Sequence, residues 1–279
     1  MKSQPVIVLH VVGGNDSAGG VMSFLRELVS KPTDGCSNLI WKHYTYREKG
    51  DPFIRLGWAR YIDRSVFGDL LASLKDVIPL FFWARKQKRL ILYAHSRMGM
   101  VIGCMVSKLT SIPLFVHVHG AYKTVRLYRA LWRWAGAIVV FNSKKTCLHY
   151  GAKIAESHII CPFITWPNAP AKSKPSEYRF IAAGAFVSSK NFHVVIEAFQ
   201  QLTAQSSAQL FIFGLSRQPI DPQYQNKIVE QAKTDSRIVL VEYDFNWTEQ
   251  LTQNDVFVHA AERESFGIVI LEAFAKGCK

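Results

Sequence analysis

Near the end of this 279-residue chain two carboxylates, Glu264 and Glu272, lie eight positions apart and bracket Ser265, Phe266, Gly267 and Ile268. The apolar run Val256–His259 leads into them as a predicted strand, and an apolar helix is predicted from Phe266 onward. A strand, a turn with free backbone N–H groups and a helix N-terminus together form a site for phosphate. Carboxylates on either side of such a site can accept hydrogen bonds from hydroxyls flanking a diphosphate. From Gly267 to Glu272 a helix rises about 8 Å at ~1.5 Å per residue, the span from one sugar across a diphosphate to the next. The competing use of these residues is a solvated amphipathic helix, the commonest fate of a glutamate pair.

Other residues with chemistry to offer sit beside predicted strands. His95, in Tyr93-Ala-His-Ser96, and His119, in Val116-His-Val-His-Gly120, each follow one, so an imidazole can reach a site at the strand ends. Each could equally be a hydrogen-bonded structural histidine. Gly19 and Gly20 follow the first strand and precede a helix, where glycine lets backbone approach a ligand and present N–H groups. An ordinary turn would use the same pair.

The elements that must position these groups alternate short apolar runs with longer helical segments, the pattern of a parallel α/β architecture. Strands are predicted at Val6–Val12, Leu90–Tyr93, Leu114–Val118, Ile138–Phe141, Phe180–Ala183, Leu210–Phe213, Ile238–Val241 and Val256–His259. Helices are predicted near Val21–Val29, Ser65–Arg85, Met98–Leu109, Thr124–Ala135, Lys144–Tyr150, Phe192–Leu202, Tyr224–Lys233 and Thr248–Gln253. Pro162, Pro167, Pro170 and Pro175 end regular structure and mark a linker. The expectation is two Rossmann-like domains, residues 1–163 and 179–279, joined by a linker at 164–178. Ligands of such sheets bind at the carboxyl ends of the strands.

A net charge of +13 favours acidic partners: nucleotide diphosphates, anionic headgroups or nucleic acid. No nucleic-acid-binding signature accompanies it, so nucleic acid is not expected as a partner. Five cysteines without CxxC spacing read as reduced thiols in a cytoplasmic protein. No apolar run approaches the ~20 residues that span a bilayer. Apolar residues at helical spacing within 65–89, ending in Arg85-Lys-Gln-Lys-Arg89, fit an interfacial helix on anionic lipid, or a core helix with a cationic end. The turn Gly13–Gly20 lacks the Gly-x-Gly-x-x-Gly spacing of a dinucleotide-binding oxidoreductase.

With Glu264 and Glu272 as an E-x7-E pair, Pro113–Gly120 and Ala183–Phe199, the chain resembles the retaining nucleotide-sugar glycosyltransferases, most closely glycosyltransferase family 4. Val140-Phe-Asn-Ser143 and Pro167-Asn168 support the resemblance without implying a chemical role. It implies a GT-B fold, two Rossmann-like domains facing a cleft, here with the second domain incomplete. It implies transfer of a sugar from a nucleotide-diphosphate donor to a glycan or lipid-linked acceptor with retention of configuration. The settings implied are lipopolysaccharide, capsule or exopolysaccharide synthesis on the cytoplasmic side, peripheral to the membrane.

Carried onto this chain, the resemblance puts His119 beside the transferring sugar and Glu264 on its hydroxyls. Backbone amides of Ser265, Phe266, Gly267 and Ile268 would hold the diphosphate, and Glu272 the ribose. Gly19 and Gly20 would lie near the donor phosphates, Gly214 at the donor pocket, and Lys190 would neutralise the diphosphate. No metal or other cofactor is implied. The family's arginine after Gly184 is replaced by Ala185, and Arg217 is the nearest candidate to compensate. Losing such a cation commonly costs ~3 kcal/mol in the transition state. A non-catalytic subunit or truncated remnant is therefore one alternative, and a GT-B nucleotide-sugar epimerase another. A partner or second copy covering the short second domain is also an expectation.

Overall fold

The computed structural model describes residues 5–12, 20–30, 35–42, 53–55, 66–164, 179–202, 207–217, 219–242, 244, 246–262 and 264–279. The chain divides into two compact units, Met1–Ser17 with Phe24–Pro162, and Phe163–Lys279 with Ala18–Ser23. The expected linker lies almost entirely outside the described residues, as do Gly19 and the Pro167-Asn168 pair.

The first unit is a seven-stranded parallel sheet. Its strands are β1 (Val6–Val12), β2 (Cys36–Lys42), β3 (Phe53–Arg55), β4 (Leu90–Ala94), β5 (Leu114–Val118), β6 (Ile138–Phe141) and β7 (His158–Ile159). Their order across the sheet is β3-β2-β1-β4-β5-β6-β7. The connecting helices are α1 (Gly20–Ser30), α2 (Val66–Ala84), α3 (Arg97–Thr110), α4 (Val125–Ala135) and α5 (Lys144–His149). Leu9, Val11, Leu92, Ala94, Val116 and Val118 pack with α2 and α3 residues such as Leu80, Met100 and Ile102 in a single buried cluster. Ser96 caps α3 by accepting from the Gly99 N–H at 3.0 Å. Gly99 lies so close to β1 that a Cβ there would come within 2.2 Å of the Val11 carbonyl oxygen.

The second unit carries a four-stranded parallel sheet in the order β10-β9-β8-β11, with β8 (Arg179–Ala183), β9 (Gln209–Leu215), β10 (Ile238–Glu242) and β11 (Val256–Phe257). Its helices are α6 (Phe192–Gln200), α7 (Pro222–Ala232) and α8 (Ile268–Ala275). The side chains alternate between two cores. Ala182, Leu210 and Ile212 pack with α6 and α7, whereas Ile181, Ala183 and Phe213 pack with Trp247 and Ala273. Period-two alternation with both sets buried means that both faces of this sheet are covered. Along β11, Lys279 donates to the Asp255 carbonyl and its own carbonyl accepts from the Phe257 N–H, each at 2.9 Å.

The strands legible as apolar runs are all present with their ends within two residues, β11 stopping at Phe257 short of His259. Three strands went unpredicted: β2, β3 and β7. β2 mixes Ser37 and Asn38 with apolar residues, and β3 and β7 are short edge strands, so none carries a continuous apolar signal. The helix predicted at Thr248–Gln253 is instead a single 3-10 turn, Trp247–Gln250. Its four residues are too few for the periodicity of an α-helix to establish itself.

Candidate functional site

In each unit, polar side chains gather at the carboxyl ends of the central strands. In the first unit the strand order reverses between β1 and β4, the switch point at which open α/β sheets leave a crevice. Four histidines collect there: His10 of β1, His95 just after β4, His117 within β5 and His119 just after it. The register aligns His10 with Tyr93 across the β1–β4 ladder, and the alternation of a strand puts His117 and His119 on one side. Phe24 of α1 packs against the rings of His95, His117 and His119, with centroids 5.0 to 6.0 Å away.

The imidazoles form a chain. His10 Nε2 is 3.2 Å from Asn38 Oδ1, and His10 Nδ1 is 3.0 Å from His95 Nε2. His95 Nδ1 is in turn 3.2 Å from His119 Nε2. His117 stands beside this chain. Its Nε2–H donates to the Ile160 carbonyl at 3.1 Å, which leaves Nδ1 to accept from the Tyr93 hydroxyl at 3.1 Å. The Asn142 amide donates to the carbonyl of His119 at 2.9 Å and so holds its backbone.

Burial keeps these rings neutral. It lowers His10 and His117 to about 4, and it pushes His95 and His119 well below the ordinary value, with neighbouring imidazoles adding to the effect. Burial also raises the Tyr93 phenol to about 12, so it stays a proton donor.

Ligand atoms of His95, His117 and His119 lie within 4.8 Å of one another, close enough to hold a metal ion. Their hydrogen bonds argue for a different use. Both nitrogens of His117 and both of His95 are already engaged by Tyr93, Ile160, His10 and His119. A metal would have to displace two or three of these bonds.

The second unit brings together the residues around the predicted Glu264–Glu272 turn. Glycines clear the strand ends: Gly214 has φ +128°, and a Cβ on it would come within 1.9 Å of the Gly184 carbonyl oxygen. Only glycine allows β8 and β9 to approach so closely there. After β8 the chain turns through Ala185 and a short 3-10 turn, Ser188–Lys190, into α6. Asn191, in the left-handed conformation at φ 54°, links that turn to α6 and donates its side-chain amide to the Ala260 carbonyl at 3.0 Å. The Glu262 N–H donates to the Ser189 carbonyl at 3.1 Å. The loop after β8 is thereby tied to the loop after β11.

That link brings Lys190 onto Glu264, where the ammonium and the carboxylate form an ion pair with both side chains partly exposed. His259 Nε2 is 3.5 Å from the same carboxylate. Gly267 precedes α8 in the left-handed conformation at φ 82°, and the first-turn N–H groups of the helix follow it. Five residues into α8's run from Gly267, the Glu272 carboxylate accepts a hydrogen bond from Trp247 Nε1 at 3.3 Å. Ser265 and Phe266 are half-buried, whereas Gly267 and Ile268 are buried.

The structure therefore gathers Lys190, Gly214, Glu264 and Gly267 at the strand ends of the second unit, with Ser265, Phe266 and Ile268 adjoining them in the chain and Glu272 further along α8 against Trp247. It joins His95 and His119 by a hydrogen bond in the first. Gly20 begins α1. Arg217 lies at the surface and grips Glu242 with two hydrogen bonds, at 3.2 and 3.3 Å.

Sequence reasoning missed His10, Asn38, His117, Asn142, Trp247 and His259. One signal was available: His10 interrupts the apolar run Val6–Val12, and a polar residue inside a buried strand needs a partner.

Comparison with known proteins adds the context. Residues 167–278 match the family model of glycosyl transferases group 1. No curated protein matches the sequence of the chain. Among solved structures, HepE from Anabaena, in complex with UDP and glucose, is 18% identical, with a TM-score of 0.74 over 97% of this chain and 78% of that one. Sucrose-phosphate synthase from Thermosynechococcus elongatus is 15% identical, with a TM-score of 0.66 over 98% of this chain and 80% of that one. WaaG, a glycosyltransferase involved in lipopolysaccharide biosynthesis, is 12% identical, with a TM-score of 0.62 over 98% of this chain and 80% of that one. The fold is α/β with parallel sheets, that of GT-B glycosyltransferase structures.

Proposed function

We propose that this chain is a glycosyltransferase of the retaining, family 4 type, using a nucleotide-diphosphate sugar as donor. The observation that carries the reading is the meeting of Lys190 and Glu264 beside Gly267 and the start of α8, with Glu272 further along the same helix. In this reading Lys190 and the first-turn amides of α8 take the diphosphate, Glu264 the sugar hydroxyls and Glu272 the ribose. The neighbouring structures solved with UDP and UDP-glucose support a donor of that class. His119 is assigned to a hydroxyl of the transferred sugar.

The reaction would break the bond between the anomeric carbon and the diphosphate oxygen and form one from the acceptor oxygen to that carbon, on the same face. The acceptor's hydroxyl proton would pass to the departing diphosphate. Lys190 and the helix amides hold the leaving charge without a metal. The saturated hydrogen bonding of His95 and His117 supports a metal-independent reading.

The test is calorimetric titration of UDP and GDP into the chain and into Glu272→Ala. Micromolar binding, weakened at least tenfold by the substitution, is the expected result; no binding by the intact chain would sink the reading. Ala185 favours a second reading, a glycosyltransferase-like protein that binds the donor without turning it over. Donor binding with neither transfer nor hydrolysis would select it.

The acceptor is assigned to a growing cell-surface glycan or a lipid-linked saccharide at the cytoplasmic membrane surface. Two features of the first unit support that setting. Leu74, Ile78 and Phe82 form an exposed apolar stripe on α2, between 42% and 61% accessible, opposite the buried Asp76, Val77, Leu80 and Ala84. The exposed Arg85, Lys86, Lys88 and Arg89 follow directly, a charge complement to an anionic bilayer. No helix among the described residues is long and apolar enough to cross a membrane. Cosedimentation with phosphatidylglycerol vesicles should be lost in Ile78→Asp with Phe82→Asp. Equal binding by this variant would exclude the stripe as a lipid contact.

A further inference from the structure

Neutral imidazole has one N–H and one lone pair, so a chain of such rings is forced into a single direction once one end is fixed. Here the fixed end is Asn38 of β2, whose Oδ1 can only accept. His10 must then carry its proton on Nε2, which leaves Nδ1 to accept from His95 Nε2–H. His95 in turn has a lone pair on Nδ1 and accepts from His119 Nε2–H. The chain of rings ends at His119 Nδ1, which carries a lone pair. Reversing the chain would require the Asn38 amide to turn over and present Nδ2–H to His10 Nε2 in place of Oδ1.

We propose that Asn38 and His10 are positioning residues for His119: acting through His95, they fix the tautomer that offers His119 Nδ1 as a hydrogen-bond acceptor. What the chain prepares is a place for a hydroxyl or another N–H or O–H donor. It disfavours a phosphate or carboxylate oxygen, which would meet a lone pair. The Asn142 bond to the His119 carbonyl and the packing of Phe24 on its ring hold the residue while the chain sets its proton. That the hydroxyl belongs to a transferred sugar rests on the proposed function; the tautomer itself does not.

The experiment is a long-range proton–nitrogen correlation spectrum of the full chain labelled with nitrogen-15 in its histidine rings, recorded near neutral pH. The His119 signals are assigned by comparison with His119→Gln. Asn38→Asp keeps an acceptor of the same shape opposite His10, and Asn38→Leu keeps the shape without the acceptor. The expected result is His119 protonated on Nε2 in the wild type and in Asn38→Asp, with at least half of it moved to Nδ1 in Asn38→Leu. His119 carrying its proton on Nδ1 in the wild type would overturn the proposal, as would an unchanged tautomer in a folded Asn38→Leu. If that variant does not fold, the wild type and Asn38→Asp still decide. The spectrum is read without substrate, so a chain that binds no nucleotide would sink the proposed function and leave this result standing.

Discussion

The two units solve the same problem, collecting polar groups at the ends of parallel strands, in opposite electrostatic ways. At the histidine cluster the rings are deeply enclosed: His10, His95 and His117 are at most 1% accessible, and burial holds them uncharged. In the second unit Lys190 and Glu264 keep 20% and 27% of their side chains exposed and hold each other as an ion pair. The difference teaches where each kind of group is affordable. A neutral imidazole can be buried when each nitrogen finds a partner, whereas isolated buried charges cost several kcal/mol and so stay paired near water. The first arrangement positions lone pairs and protons. The second stores charge that a diphosphate could claim.

Acid should expose this contrast most strongly. His10 and His117 sit at about 4 in the folded chain against 6.5 in the unfolded one, so between those values the unfolded state binds more protons. Their contribution is fully present above about pH 6.5 and is lost as the pH falls toward 4. At ~1.4 kcal/mol per pH unit the loss is about 3 kcal/mol for each ring. Urea unfolding measured from pH 7 to pH 4 should show that fall, and Asn38→Leu with His10→Phe should remove the share of His10 while leaving that of His117. A stability independent of pH across this window would contradict the neutral cluster.

Removing charge from the other unit should do the reverse, costing binding and sparing the fold. Lys190→Met is expected to weaken UDP binding by roughly tenfold to a hundredfold, from the ~1.5–3 kcal/mol of a charge-assisted hydrogen bond. Its unfolding free energy should change by less than about 1 kcal/mol, because the ion pair is partly exposed. Calorimetry and urea titration of the same preparation separate the two effects. A large loss of stability with unchanged affinity would reverse their roles.

A smaller effect is expected at Trp247, which donates to the Glu272 carboxylate from within the buried cluster beneath α8. Trp247→Phe keeps most of the ring volume and removes the N–H. Affinity for UDP should fall about threefold to tenfold, the worth of one hydrogen bond of ~0.5–1.5 kcal/mol. Affinity equal to wild type would show that Glu272 needs no orienting partner.

How much of this was legible beforehand depends on the range of the interaction that fixes each feature. Val6–Val12, Leu114–Val118 and Ile138–Phe141 read as strands because central strands of a parallel sheet are apolar on both faces, a property of a few consecutive residues. The Glu264–Glu272 turn was legible for a similar reason, since its glycine, helix start and carboxylates are neighbours in sequence. β2 was not, because an outer strand with Ser37 and Asn38 in it carries no such run. The role of Trp247 was hidden as well: its Glu272 partner is 25 residues away, and a tryptophan in a 3-10 turn reads locally as core.

The sequence by itself determined the rhythm of strands and helices, the α/β class and the glycine turn that opens α8, since these rest on side-chain periodicity and local backbone chemistry. Tertiary structure alone decided which polar groups became partners. His10 meets His95 across 85 residues because β1 and β4 are neighbours in the sheet, and Lys190 meets Glu264 across 74 because the loops after β8 and β11 are tied together. The uncharged state of the histidines is decided there too, because burial is a property of the packed fold and not of any stretch of chain.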